Sequence, residues 1–314
     1  MNPISRPGEV RVAHLARILA GMQRVFIGSE ALATGAVTRH GLARWFRRLH
    51  PDVYFSKFEQ ATLHDRITGA WLWSGRSGVI AGVAASALHG AEWVDADIPV
   101  ELLSRKSPAP HGIIVRNERV ADDEATCIRG LTVTTPARTA FDIARHLSRG
   151  QALARLDALA RATPFCADDV LGLAKRYPGA RGLKQLRKLI PLVDRGADSL
   201  KESWLRLLLI DAGFPTPKTQ IPVYVGGRLF AVLDMGWEEF KVSAEYDGEV
   251  HRTVRSSYVK DHYRERTLPQ LGWLNNRVIK EDTVVGVIDR VAHALWSRGW
   301  QGQPVYPARS RSRR

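Results

Sequence analysis

The sequence predicts a protein of mixed α/β class, α+β overall, with several modules along one chain. Its 314 residues exceed what one ordinary compact core accommodates, which predicts two or three modules. Helical spacing of apolar residues alternates with short strand-like runs along the chain. A hydrophobic content of 45% beside 25% charged residues is typical of a folded protein rather than a disordered one.

The charge balance points to a polyanionic partner. Lysine and arginine total 46 against 32 aspartates and glutamates, which gives a formal net charge of +14. Such a field attracts phosphate groups regardless of base sequence. Arginine-rich proteins of GC-rich genomes show the same balance without any nucleic-acid role, so charge alone leaves both interpretations open.

Several other classes of protein are disfavoured. No apolar run reaches the ~20 residues that span a bilayer, and the first residues contain no apolar signal-peptide region. The two cysteines, Cys127 and Cys166, have no CxxC spacing, which argues against a zinc site and a disulfide framework. We therefore expect a protein of the reducing cytoplasm, without a membrane partner.

Residues 1–60 predict a winged helix-turn-helix domain. Apolar residues recur at helical spacing from Val12 to Leu19, a short helix covers residues 29–33, and Thr38 caps a third helix. Two strands around a Pro-Asp turn follow. In such a domain the third helix enters the major groove of double-stranded DNA and the wing contacts the backbone. The residues expected to bind DNA are basic and lie on the third helix and the wing: Arg39, His40, Arg44, Arg47 and Arg48. A three-helix bundle without a ligand has the same periodicity.

Residues 61–150 predict a small α+β module without an evident catalytic group. Its expected helices and strands cover residues 62–73, 81–89, 99–103, 112–116 and 131–134, and a last helix starts with Thr135 as cap and Pro136 at its first position.

The first 150 residues resemble the antitoxins of abortive-infection (type IV) toxin–antitoxin systems. The resemblance is carried by the stretches LARWFRRLHPDVYF, AASALHGAEWVD and TTPARTAFDIAR. It implies operator binding or neutralisation of a cognate toxin protein.

Two basic segments flank the domain that follows. Residues 151–197 predict a helical linker, and residues 301–314 predict a disordered basic tail. A phosphate-contacting surface and a solvated helix face are both open interpretations of four linker residues: Arg181, Lys184, Arg187 and Lys188.

Residues 198–300 predict a mixed sheet flanked by helices. Ser199 and Glu202 have the spacing of a capping box at the start of a helix. Three strands, a helix, a fourth strand and a closing helix follow, and Gly226-Gly227 is a two-residue hairpin signal between the first two strands.

Carboxylates are expected at one edge of this sheet. Glu245 and Asp247 alternate onto one face of the third strand, ~6.6 Å apart, and Asp234 ends the preceding strand. Converging carboxylates repel one another unless a cation or a proton neutralises them, and carboxylate oxygens with water suit Mg²⁺. His251 lies four residues beyond Asp247 and is expected to act there as general base or phosphate ligand.

Each of these residues also has a purely structural interpretation. Glu202 can serve only its capping box. Asp234 and Glu245 can be exposed carboxylates that pair with a neighbouring arginine or lysine. The hypothesis of a site depends on the joint placement of these residues.

A second resemblance lies in the C-terminal domain. It is to the nuclease-like family related to very-short-patch-repair endonucleases, within the PD-(D/E)XK superfamily, and is carried by LKESWLRLLLIDAGFPTPKTQIPV, LFAVLDMGW, VSAEYDGEVHR and KDHYRERTLPQLGW. The resemblance implies a restriction-endonuclease-like sheet in which Asp234 and Glu245 bind Mg²⁺ or Mn²⁺. Glu202 would reach the metal through water.

The same resemblance assigns the flanking residues. Asp247 and His251 would flank the scissile phosphate, and Asp261 and Arg264 would support it. One departure concerns the superfamily's usual lysine, because Asp247 occupies that position here. The cation that orients the attacking water must then come from another residue. The candidates are Lys241, Lys260 and Arg264.

Two functions of different class follow from these patterns. The leading hypothesis is a Mg²⁺-dependent DNA endonuclease that hydrolyses phosphodiester bonds and is targeted by the helix-turn-helix. In it, His251 relays a proton and Arg264 offsets charge on the phosphorane. The alternative is a non-catalytic, antitoxin-like DNA-binding transcriptional regulator with a degenerate nuclease fold. Action on RNA is a third hypothesis.

Overall fold

The computed structural model describes residues 23–247 and 255–307, without the side chains of residues 255–262. Contacts divide the chain into two units, residues 1–143 with 163–180 and residues 144–162 with 181–314. The finer division at residues 60, 150, 197 and 300 stays a prediction.

Three expectations lie outside the described residues. They are the helix from Val12 to Leu19, the position of His251, and the state of the tail arginines beyond Pro307.

The first unit begins with a small antiparallel sheet and two short helices. The elements are β1 (Val25–Ile27), α1 (Gly28–Ala33), α2 (Arg39–Trp45), β2 (Phe46–His50) and β3 (Val53–Ser56). The strands lie in the order β1-β3-β2. The Thr38 hydroxyl accepts the N–H of Gly41 at 3.0 Å, which caps α2 as expected. Phe26, Leu42 and Phe46 are buried in one cluster that joins the helices to the sheet.

A five-stranded mixed sheet follows in the same unit. Its strands and helices are α3 (Leu63–Trp73), β4 (Val79–Ala81), α4 (Gly82–Leu88), β5 (Val100–Leu103), β6 (Ile113–Arg116), β7 (Ala125–Ile128) and β8 (Leu131–Thr134). The order is β6-β5-β4-β8-β7, with β5–β6 and β4–β8 parallel and the other pairs antiparallel. Phe55, Ile67, Ile80, Leu102 and Val133 are buried in one core beneath it.

Four helices come next along the chain. They are α5 (Pro136–His146), α6 (Arg149–Ala162), α7 (Ala167–Arg176) and α8 (Leu183–Leu189). Arg138 of α5 is buried and donates to the carboxylates of Asp142 and Glu124. Arg176 of α7 donates to Glu124 at 2.6 Å and to Asp123 at 2.9 Å. These paired charges tie α7 to the first unit, and their pairing is what makes a buried arginine tolerable.

The second unit contains a four-stranded mixed sheet with helices around it. Its further elements are α9 (Leu200–Asp211), β9 (Lys218–Val225), β10 (Arg228–Trp237), β11 (Val242–Tyr246), α10 (Arg255–Gln270), β12 (Leu274–Val278) and α11 (Val284–Trp296). The strand order is β12-β11-β10-β9, with β11 and β12 parallel and the other pairs antiparallel. Gly226 and Gly227 have φ of 56° and 76°, the left-handed pair that a tight hairpin turn requires.

A buried ion pair connects two helices of the second unit. Arg206 of α9 donates to Asp157 of α6 at 2.7 Å, and the two side chains are 2% and 1% exposed. The N–H of Asp194 donates to the other Asp157 oxygen at 2.8 Å. The carboxylate of Asp157 is therefore satisfied on both oxygens.

The sequence predictions of element type are confirmed across both units, with ends that differ by a few residues. The mixed α/β class is confirmed as well. Three strands, β1, β4 and β7, were not predicted, because runs of three or four residues are too short to establish a period. In the described part of the chain no helix is long and apolar enough to cross a bilayer.

Candidate functional sites

A basic surface lies on α2 and the hairpin that follows it. We use this term for Arg39, His40, Arg44, Arg47 and Arg48, all of which are exposed. The opposite side of α2 is anchored by Leu42, and Phe46 anchors the start of β2. Burial of these two apolar residues fixes the outward direction of the basic ones.

The cations of the basic surface are available to an external anion. Arg47 contacts the Phe55 ring and the Glu59 carbonyl, and Arg48 contacts Tyr54 through its ring and its hydroxyl. None of the five side chains forms an ion pair with a carboxylate among the described residues. Arginines that are held by aromatic rings but keep their charge unpaired suit contact with phosphate.

A second site lies where β10 and β11 end. Met235 pairs with Ala244 in the antiparallel register, and one more residue along each strand brings Asp234 opposite Glu245. The N–H of Tyr246 donates to an Asp234 carboxylate oxygen at 3.1 Å, which holds Asp234 against β11. The predicted convergence of these two carboxylates at adjacent strand ends is therefore present.

Glu202 brings a third carboxylate from α9. The Ser199 hydroxyl accepts the Glu202 N–H at 3.1 Å, which is one half of the expected capping box. The Glu202 side chain accepts the N–H of Asp198 at 2.8 Å rather than that of Ser199, so the reciprocal half falls one residue earlier. We call Glu202, Asp234 and Glu245 the acidic centre.

The electrostatics of the acidic centre leave negative charge uncompensated. Burial, together with the nearby charges of Glu202 and Glu245, raises the pKa of Asp234 to about 7. The Tyr246 N–H and the Arg264 guanidinium only partly offset this effect. Burial also raises the pKa of Glu202. A carboxylate that ionises only near neutral pH, beside two others, is typical of a site that takes up a cation or a proton.

Arg264 and Asn275 hold Glu245 in place. The Arg264 guanidinium donates to one Glu245 oxygen and to the Val232 carbonyl, the latter at 2.7 Å. The Asn275 amide donates to the other Glu245 oxygen at 2.7 Å and accepts from the Ser243 hydroxyl at 3.0 Å. Glu245 therefore faces a permanent cation on one side and a neutral donor on the other.

The donors of the acidic centre fit a hard divalent cation. Magnesium is commonly bound through one or two carboxylates, with water and substrate phosphate completing the shell. Asp234 and Glu245 provide two such carboxylates from neighbouring strands. Among the described residues no three His, Cys, Asp or Glu side chains lie close enough to share one ion, so further ligands would have to be water or phosphate.

The other predicted site residues lie at different distances from the acidic centre. Asp247 follows β11, and its N–H donates to the Val278 carbonyl at 2.8 Å. Lys241 precedes β11 at its other end, and its ammonium lies 4.8 Å from the centre of the Trp273 ring. Of the three cations considered, Arg264 reaches Glu245 and Lys241 does not. His251 and the side chains of Lys260 and Asp261 lie outside the described residues.

Asn275 and Ser243 were not predicted from the sequence. Ser243 shares a face of β11 with Glu245, and the parallel register of β12 brings Asn275 beside Ser243. The only signal in the sequence is the Asn-Asn pair inside an otherwise strand-like run. That pair has no meaning until the partner strand of β12 is known.

Comparison with known proteins identifies one part of the chain. Residues 80–192 match the family model of the AbiEi antitoxin C-terminal domain. The predicted resemblance to abortive-infection antitoxins is confirmed over this span, whereas no comparison shows the nuclease-like resemblance.

Curated relatives and solved structures add little. Two uncharacterized proteins of Mycobacterium tuberculosis, from strains CDC 1551 / Oshkosh and ATCC 25618 / H37Rv, are each 33% identical over 155 residues. The match covers 49% of this chain and 57% of each relative, so the chain spans little more than half their length. No solved structure matches the chain.

Proposed function

We propose that this chain is an antitoxin-like, DNA-binding regulator. The observation that carries the proposal is the match of residues 80–192 to the AbiEi antitoxin C-terminal domain. The basic surface supports it, because α2 and the following hairpin have the order of a reading helix and a wing. In this proposal α2 enters the major groove, the hairpin contacts the backbone, and a cognate toxin protein and double-stranded DNA are the partners. A cytoplasmic location remains an expectation.

A gel-shift experiment tests this function. The full chain is titrated against DNA from upstream of its own coding sequence, with EDTA present. We expect a specific shift that Arg39→Ala/Arg44→Ala weakens strongly, because two exposed cations of α2 are lost. Lys175→Ala is the matched control, since it removes an exposed charge from α7. Equal weakening by both variants would mean that only overall charge matters, and the proposal would be withdrawn.

A second candidate function is metal-dependent hydrolysis of DNA phosphodiesters. The observation that favours it is the acidic centre, with three carboxylates and an Asp234 pKa of about 7. Asp234 and Glu245 would hold the ion, which when bound would polarise a phosphoryl oxygen and lower the pKa of an attacking water. A restriction-endonuclease-like arrangement of α9 to α11 is part of this proposal.

The residues of this chain have separate tasks in that reaction. Asn275 fixes the orientation of Glu245 through its amide. Arg264 carries a positive charge that offsets the charge developing on the phosphate. Its present contact with Glu245 means that it must move or share that oxygen when an ion is bound.

Plasmid DNA incubated with Mg²⁺ or Mn²⁺ tests the second function. Wild-type protein is expected to nick or cut the plasmid, and Asp234→Asn or Glu245→Gln is expected to abolish cutting while DNA binding persists. Cutting by these variants at the wild-type rate would exclude the acidic centre as the catalytic site. Absence of cutting by the wild type, with operator binding intact, would leave the regulator as the function.

A further inference from the structure

The ribbon formed by β9 and β10 has an apolar side that faces solvent. Tyr224 and Leu229 lie opposite each other across the two strands and are 57% and 58% exposed. Pro222 and Val232 form the next exposed pair along the ribbon. A contiguous apolar patch of this kind is uncommon on a protein surface without a binding role.

The ribbon does not need this exposed side for its own folding. Its other side buries Ile221, Val223 and Leu233, which pack with Leu268 and Trp273 in one cluster. Side chains alternate between the two faces of a strand, so the buried row already anchors the ribbon. The exposed row is additional to that core.

The exposed row leads to the acidic centre. Val232 and Asp234 are two residues apart in β10, so the strand period puts them on the same side of the ribbon. The Val232 carbonyl also accepts from Arg264, the arginine that contacts Glu245. A ligand whose phosphate lies at the acidic centre would therefore extend over this row.

The charges of the ribbon favour a polyanion. Residues 212–233 contain no Asp or Glu, although they include Lys218 and Arg228. Lys218 is paired with Glu238 at 2.8 Å. Arg228 adjoins the hairpin turn, is exposed, and forms no ion pair in the part of the chain described here. The ribbon thus presents apolar side chains along its length and a free cation near its tip.

We propose that the solvent side of this ribbon is a DNA-contacting surface, which rests on the proposed DNA-binding function. A two-stranded ribbon fits the major groove, and aromatic and aliphatic side chains contact base faces and thymine methyl groups there. Arg228 would contact the phosphate backbone near the ribbon tip. Strand addition by a second copy is disfavoured, because Pro222 interrupts the edge strand β9.

Fluorescence anisotropy with a labelled duplex, over a range of salt concentrations, tests the proposal. For Tyr224→Ser/Leu229→Ser we expect affinity to fall roughly tenfold, with the salt dependence unchanged because no charge is removed. For Arg228→Gln we expect the slope of log affinity against log salt to fall by about 0.9. Val285→Ser is the matched control, since it removes an apolar side chain that is 48% exposed on α11. Because all four positions are exposed, circular dichroism is expected to show wild-type folding.

The possible failures are distinguishable. If wild-type protein binds no DNA at any salt concentration, the proposed function itself is wrong. If wild-type binding depends on Arg39 and Arg44 but Tyr224→Ser/Leu229→Ser binds like wild type, only the ribbon proposal is wrong. Sedimentation that shows a wild-type dimer and a monomeric Tyr224→Ser/Leu229→Ser variant, with equal DNA affinity, would assign the surface to a second copy and overturn the proposal.

Discussion

Asp234 lies opposite Glu245 at the ends of two neighbouring antiparallel strands, and the backbone N–H of Tyr246 donates to Asp234 at 3.1 Å. The two carboxylates share this position with Glu202, and Arg264 is the cation in contact with them. This arrangement has consequences for stability as well as for binding.

The stability of the second unit should depend on the ionisation of Asp234. Its pKa in the folded protein is about 7, above the ordinary value of 3.8, so the folded state retains the proton over a range where the unfolded state loses it. The free energy of unfolding is therefore expected to fall as pH rises from about 4 to about 7. Asp234→Asn should remove this decline and be more stable than wild type at pH 8 by roughly 2–4 kcal/mol.

Urea unfolding followed by tryptophan fluorescence at several pH values measures this effect. Asp211→Asn, at an exposed carboxylate of α9, is the control and should keep the wild-type pH profile. A profile for Asp234→Asn that parallels wild type would show that Asp234 is not the titrating group.

Loss of the buried arginine of α9 should be costly. Arg206→Met leaves the Asp157 carboxylate buried without a counter-charge, and we expect the free energy of unfolding to fall by about 3–5 kcal/mol. Arg149→Met is the matched control, because Arg149 pairs with Asp211 at an exposed position and should contribute about 1 kcal/mol or less. Equal losses in urea unfolding would contradict this difference.

A glycine in β10 should not tolerate a side chain. A Cβ at Gly236 would lie 2.4 Å from the Val242 carbonyl oxygen and 2.9 Å from the Ser243 Cα. Because both atoms belong to the backbone of the neighbouring strand, Gly236→Ala should destabilise the protein by about 1–3 kcal/mol. Gly150→Ala is the control, since no atom lies within 4 Å of its added Cβ. A wild-type melting temperature for Gly236→Ala would refute the steric argument.

The two parts of the basic surface should affect DNA binding differently. Arg47→Gln/Arg48→Gln removes charge from the hairpin and should weaken binding to every duplex alike, with the salt slope reduced by about 0.9 for each lost contact. Arg44→Gln changes α2 and should reduce the preference for the specific site as well. Competition with unrelated DNA measures that preference. The assignment of helix and wing would be reversed if Arg44→Gln lowered only the salt slope.

The acidic centre could be predicted only in part. Asp234 and Glu245 could be placed together because strand alternation and the short turn between β10 and β11 act over a few residues. Asn275 could not, because it reaches Glu245 only through the parallel pairing of β11 and β12. That pairing depends on how the intervening helix α10 crosses back over the sheet, which local sequence does not specify.

The extent of the units could not be predicted for the same reason. The helices of residues 151–197 were expected to form one linker, and their helical character is confirmed. Arg176 pairs with Asp123, 53 residues earlier, whereas Asp157 pairs with Arg206, 49 residues later. Such distant ion pairs determine which unit a helix joins, and no local pattern signals them.

Binding to DNA from upstream of the coding sequence, compared with unrelated duplex in the presence of EDTA, tests the central claim most directly. As an antitoxin-like regulator, the full chain should bind the upstream DNA roughly 10³-fold more tightly than unrelated duplex, without any divalent ion. Equal affinity for both duplexes, or binding that appears only when Mg²⁺ is added, would contradict the claim.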